Sequence, residues 1–238
     1  MSAEPILITG VGKRLGLQLA LNYLDRGIPV IGTYRSERPG LRELQARGAA
    51  LCRCDFGDES QPEALIEWVT KRHTRLRALI HNASDWLPDD GALEGGEIAR
   101  RMMQVHVVVP YQLNLALTPL LEASHSRYAD IIHVGDYVSS RGSKKHIAYA
   151  ASKAAQDNLT YSFSAKLAPK IKVNSVAPAL VLFNEEDDEA YRTKTLKKNL
   201  LGREAGVSEF QHAIDYLLDS EYVTGRILPM DGGRHLAH

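Results

Sequence analysis

The sequence predicts an α/β domain of three layers, a parallel sheet covered by helices on both faces. Short apolar runs of strand character alternate with helical segments from one end of the 238 residues to the other, without a repeat, low-complexity stretch or linker. The first of these runs stops at a glycine-rich turn that opens a helix. The architecture places function in a crevice beyond the carboxyl ends of the strands.

Each element has its own signal. Pro5 to Thr9 is an apolar strand ending at Gly10, and Arg14 to Arg26 carries leucines of helical character. Pro29 to Tyr34 reads as strand, about Gly40 to Arg47 as helix, and Ala49 to Cys54 as a short strand. Ser60 to His73 reads as a helix, with Ser60 and Glu63 at capping-box spacing. Strand Leu76 to His81 precedes a mostly helical stretch, Gly95 to Leu121, bent near Pro110. Strand Tyr128 to Gly135, the long helix Ile147 to Leu167 and strand Ile171 to Ala177 follow. A polar segment to Arg203, helix Ser208 to Leu218 and strand Arg226 to Met230 complete the chain.

Twenty-nine basic residues balance 29 acidic ones, so no concentrated positive footprint marks a nucleic-acid or acidic-membrane partner. No run approaches the roughly 20 apolar residues of a membrane span, and the start has no leader pattern. A cytoplasmic protein is expected. Cys52 and Cys54 read as ordinary thiols on one strand face, and neither cysteines nor histidines show metal-ligand spacing.

The turn is Thr9-Gly10-Val11-Gly12-Lys13-Arg14-Leu15-Gly16. Such glycines let backbone approach a pyrophosphate at a helix N-terminus, or serve only a tight turn. After the second strand, Arg35 and Ser36 stand where an NAD site would place an acid. Arg35 suits a 2′-phosphate, with help from Lys13 or Arg14, so NADPH is the expected cofactor; the alternative is an exposed solubilising arginine. Asp55, followed by Phe56, would face an adenine edge or cap its own loop.

Tyr149 and Lys153 stand four apart, on one helix face. An ammonium near a phenol lowers the cost of phenolate and suits a proton donor at neutral pH.

With Asp55, Asn82-Ala83, Asn174, Pro178, Thr224-Gly225 and Asp231-Gly232-Gly233, these marks resemble the short-chain dehydrogenase/reductase family over essentially the whole chain. The resemblance implies a Rossmann-like seven-stranded sheet in the order 3-2-1-4-5-6-7 and a single NADP-binding domain over residues 1–238. It also implies a substrate loop at about 179–205 and commonly a homotetramer. Phe56, Leu15 and Pro178 join the implied cofactor contacts.

One departure narrows the family. Its usual catalytic serine, thirteen residues before the tyrosine, is Asp136 here. Pteridine-reducing members carry Asp at that position, share the Thr-Gly-x-x-Lys-Arg-x-Gly turn, and have Asn-Ala-Ser followed by an aromatic, here Asn82-Ala83-Ser84-Asp85-Trp86. Further likeness to these members lies in Leu79 to Ser84, Arg141 to Tyr149, Leu182 to Glu185 and Leu228 to Leu236. The resemblance implies NADPH-dependent reduction of a dihydropterin, with weaker reduction of dihydrofolate. Trp86 would stack on the pterin, Ser84 touch cofactor and pterin, and Arg14 reach a phosphate and the pterin. Tyr149 would organise or donate the proton, paired with Asp136, while Lys153 holds the ribose; water is the other source of the proton. An ionised Asp beside Tyr suits a nitrogen heterocycle better than a ketone.

A second departure puts His106 at the family's helix asparagine, either holding a water chain or as a satisfied structural histidine. The acidic run Glu185 to Glu189, followed by lysines, reads as a solvated helix start or as part of a lid, and Tyr191 as a substrate contact or an exposed tyrosine. Two other readings are open: reduction of another cyclic imine or a carbonyl, and a non-catalytic NADP-binding regulator.

Overall fold

The computed structural model describes residues 3–90 and 93–237. Seven strands form one all-parallel sheet: β1 (Ile6–Ile8), β2 (Val30–Tyr34), β3 (Ala50–Arg53), β4 (Ala78–His81), β5 (Ala129–Val134), β6 (Ile171–Pro178) and β7 (Ile227–Met230). Their order is β3-β2-β1-β4-β5-β6-β7, as the family resemblance implies. The central strands β1, β4, β5 and β6 are buried at every position, which explains their near-continuous apolar runs. The half-buried β3 and β7 are the edges.

Alternation along the strands feeds two cores. Ile6, Ile8, Ala78, Ile80, Ile132 and Val134 face helices α1 (Arg14–Asp25), α2 (Pro39–Ala46) and α8 (Val207–Asp219). Leu7, Leu79, Ala129 and Ile131 face α3 (Gln61–Arg72), α5 (Val109–Glu122) and α6 (Ile147–Leu167). Cys52 and Cys54 both join this second core as free thiols, and burial raises the Cys54 thiol to about 12.

Two local expectations are corrected. Ser60 makes no side-chain cap on α3; it donates its hydroxyl to Asp58, which also accepts from the Ser60 N–H and the Gln61 amide. A helical φ, ψ at Ser60 turns its side chain away from the capping position. The irregularity expected at Pro110 lies just before it. Helix α4 (Gly95–Met103) passes into a π-helical turn, Gln104–Val108, in which the Val109 N–H reaches back five residues to Gln104. Pro110 has no N–H to return to the His106 carbonyl, and the wider turn absorbs that loss. The polar segment after β6 contains α7 (Glu189–Leu196), capped by Asp188 accepting from the Tyr191 N–H.

Candidate cofactor and active site

Because all strands run the same way, Thr9 to Gly16, Tyr34 to Ser36, Asp55 and Phe56, Asn82 to Trp86, Asp136 and Pro178 emerge at one edge of the sheet. A cleft of about 520 Å³ opens there. Its walls bring together the predicted Gly10, Gly12, Lys13, Arg14, Leu15, Gly16, Arg35, Ser36, Asp55, Phe56, Asn82, Ala83, Ser84 and Trp86. Tyr149, Lys153, Asp136 and Pro178 are not among its walls; Tyr149 lies past its Ser84 end, with the His106 ring edge-on to it.

The glycines have different jobs. A Cβ on Gly10, at φ +76°, would sit 2.8 Å from the Ala83 Cα, and one on Gly16 would collide with the Gly10 carbonyl and the Asn82 amide. Those two are required by the turn itself, which Asn82 ties by donating to the Thr9 and Gly10 carbonyls. A Cβ on Gly12 would meet nothing closer than 3.7 Å, so the protein does not demand its bareness. Its backbone lies open beside the N-terminus of α1, where Lys13 supplies no side-chain cap. Open N–H groups and unblocked backbone beside Lys13, Arg35 and Arg38 fit the phosphates of a dinucleotide.

Arg35 and Arg14 have partners that sequence reasoning left out, and Asp55 takes up the loop-capping alternative. Arg35 is ion-paired at 2.8 Å with Asp85, which Arg101 also holds at 2.8 Å. Arg14, at φ +52°, donates to the Asn184 side chain and the Leu182 carbonyl, tying the glycine turn to the start of the 179–205 loop. Asp55 accepts from the Gly57 N–H and lies 3.9 Å from Arg101, so its carboxylate also braces its own loop. Trp86 is 63% exposed on one side and stacked on His146 on the other, with ring centroids 3.9 Å apart. Tyr191 is half exposed and edge-on to Phe183.

Beyond Ser84, Tyr149 and Lys153 are buried and Asp136 is partly so. The Tyr149 hydroxyl donates to Asp136 Oδ2 at 2.7 Å, and Oδ1 of the same carboxylate accepts from the Val138 N–H. The Lys153 ammonium donates to the Val134 carbonyl at 2.8 Å and to Gln156. Burial lowers Lys153 to about 8, opposed by the charges of Asp136 and Asp157. Burial also raises the Tyr149 phenol, and the adjoining Asp136 carboxylate raises it further. This corrects the expectation of a phenolate favoured by Lys153: with Asp136 in hydrogen-bond contact, the phenol keeps its proton.

His106 is fully buried and edge-on to Tyr149, with Nδ1 2.8 Å from Ser152 Oγ and Nε2 2.8 Å from Ser84 Oγ. Ser152 spends its proton on the Tyr149 carbonyl, so His106 Nδ1–H donates to Ser152 and Nε2 accepts from Ser84. Ser84 then turns an acceptor oxygen toward the cleft. Burial holds His106 well below its ordinary pKa, so it stays neutral. A second buried chain runs from His81 to Asn114, His133 and Thr160. Neither chain was legible beforehand, because each joins residues far apart in sequence.

A family model described as enoyl-(acyl carrier protein) reductase matches residues 10–235. Dihydromonapterin reductase of Klebsiella pneumoniae is 50% identical over 233 residues, 98% of this chain and 97% of that protein. Dihydromonapterin reductase of Escherichia coli K12 is 49% identical over 232 residues, with 98% and 97% coverage. The crystal structure of FolM alternative dihydrofolate reductase 1 from Brucella canis, complexed with NADP, superimposes with a TM-score of 0.87 at 25% identity. It covers 100% of this chain and 96% of that one.

Proposed function

The chain belongs to the short-chain dehydrogenase/reductase family, and on that premise we propose that it reduces 7,8-dihydromonapterin to 5,6,7,8-tetrahydromonapterin with NADPH, and dihydrofolate more weakly. The observation that carries this reading is the part-buried hydrogen bond from Tyr149 to Asp136. A carboxylate is a poor partner for the alkoxide that develops on a reduced ketone, and a good acceptor for the N–H groups of a pterin. Similarity to dihydromonapterin reductases supports the substrate, and the NADP complex of the Brucella protein supports the cofactor.

NADPH would lie on Gly12, Lys13, Arg35 and Ser36, reach Asn82 to Ser84, and supply a hydride to C6 of the N5=C6 imine. Trp86, braced by His146, would offer its exposed face to the pterin. Ser84, its hydroxyl proton committed to His106, accepts an N–H from cofactor or substrate. Tyr149 would deliver its proton to N5 as that atom becomes basic, and solvent water would return a proton to the phenol oxygen beside the Asp136 carboxylate. The Lys153 ammonium offsets the charge of that carboxylate.

The chain is further proposed to act in the cytoplasm as a homotetramer. In support, Met103, Val108, Tyr111 and Leu115 leave apolar surface exposed along α4, the π turn and α5, as does Tyr161 on α6. No helix among the described residues is long and apolar enough to cross a membrane.

The deciding experiment is NADPH oxidation with dihydromonapterin, with dihydrofolate as comparison. Turnover that prefers dihydromonapterin is expected. Failure to reduce either, with NADPH still bound, would return the chain to the imine, carbonyl or regulatory readings.

A further inference from the structure

We propose that Asp85 is a specificity-determining residue, acting through Arg35: its carboxylate fixes the guanidinium that receives a 2′-phosphate. The inference rests on the NADPH reading above. Asp85 follows the Asn82-Ala83-Ser84 segment at the end of β4, and its side chain is 14% exposed. Arg101, on α4, anchors it by donating from Nε and from a terminal nitrogen to Oδ2, both at 2.8 Å. Arg35, at the end of β2, brings one terminal nitrogen to Oδ1 at 2.8 Å and to Oδ2 at 3.0 Å. Asp55 stands 3.9 Å from the same terminal nitrogen of Arg101. Positive and negative groups thus alternate from Arg35 to Asp55 and join three strand ends to one helix.

The geometry leaves Arg35 both held and available. Its side chain is 53% exposed, and only one of its three nitrogens is spent on Asp85. A guanidinium is planar, so fixing one nitrogen fixes the direction of the others. The remaining Nε and terminal N–H groups form a fork of the kind that grips phosphate oxygens. Without Asp85 the same arginine would be a long, solvated side chain that must be ordered each time a phosphate binds.

The test uses two fragments that differ only in the group at issue, adenosine 2′,5′-bisphosphate and adenosine 5′-monophosphate. Each is titrated calorimetrically into the full chain and into Asp85→Asn, Arg35→Ala and the double variant. The quantity read is the ratio of the two affinities in each protein, so damage to the cleft as a whole lowers both and leaves the ratio. The natural chain is expected to prefer the bisphosphate. Asp85→Asn should cut that preference about tenfold, the scale of one well-ordered charged contact. Arg35→Ala should cut it further, and the double variant should match Arg35→Ala, because Asp85 works only through that arginine. A ratio unchanged or raised in Asp85→Asn overturns the proposal, since the carboxylate would then be a bystander or a competitor of the phosphate. A loss that persists in the Arg35→Ala background overturns it too. A natural chain with no preference fails the NADPH reading itself, visibly and before any variant is made.

Discussion

At the Arg35 end of the cleft the charged groups are partly exposed and paired with one another; beyond Ser84 the Lys153 ammonium is buried among carbonyls, and Asp136 is partly buried against the Tyr149 hydroxyl. Arg35 keeps more than half of its side-chain surface, whereas Lys153 keeps 2% of its residue surface. Exposure lets a guanidinium exchange partners at small cost, which suits a ligand that comes and goes. Burial makes every charge expensive, so ionisation there is tuned by position rather than by solvent. Under the proposed function, one end would serve recognition and the other the movement of a proton.

The sharpest way to break that contrast is at Asp136. Asp136→Asn keeps the shape and removes the carboxylate that accepts from Tyr149 and would face the pterin N–H groups, and dihydromonapterin reduction should fall by about 100-fold or more, with NADPH binding retained. Single-turnover rates check this; a rate near that of the natural enzyme would show that the carboxylate is not needed. Lys153 sharpens it next. Its ammonium is present below about pH 8 and lost above, so kcat/KM should decline as pH rises through that value. The same shift has a stability counterpart. The folded value lies below the ordinary lysine value of about 10.4, so burying the ammonium costs stability below pH 8, and stability is regained as pH rises between the two. Chemical denaturation along that pH range reads it.

His106→Ala removes a buried ring whose two nitrogens both have partners, and should destabilise the chain by about 3 kcal/mol in urea unfolding. The smallest effect belongs to the exposed Arg14. Arg14→Ala should loosen the 182–184 segment and raise KM for the pterin by about threefold, with stability within about 0.5 kcal/mol.

Periodicity and the Gly10 to Gly16 turn were enough to read the alternating fold and its crevice, because strand burial and backbone turns leave local marks. The order of strands came from the family resemblance, not from periodicity. Tyr149, Lys153 and Asp136 stood out through helical spacing and a fixed offset of thirteen residues. Asp85 was passed over within a segment whose neighbours were singled out, since its partners Arg35 and Arg101 lie 50 and 16 residues away.

By itself the sequence determined an α/β chain with a glycine-rich turn and a tyrosine–lysine pair, features that need only local geometry. Only the tertiary structure decided what charge those groups carry and what they hold. Burial and the carboxylate of Asp136 keep the Tyr149 phenol protonated, against the spacing-based expectation of a phenolate. The π turn before Pro110 goes with the placing of His106 between Ser84 and Ser152. Desolvation and partner geometry depend on which distant segments pack together, and no local pattern of residues records that.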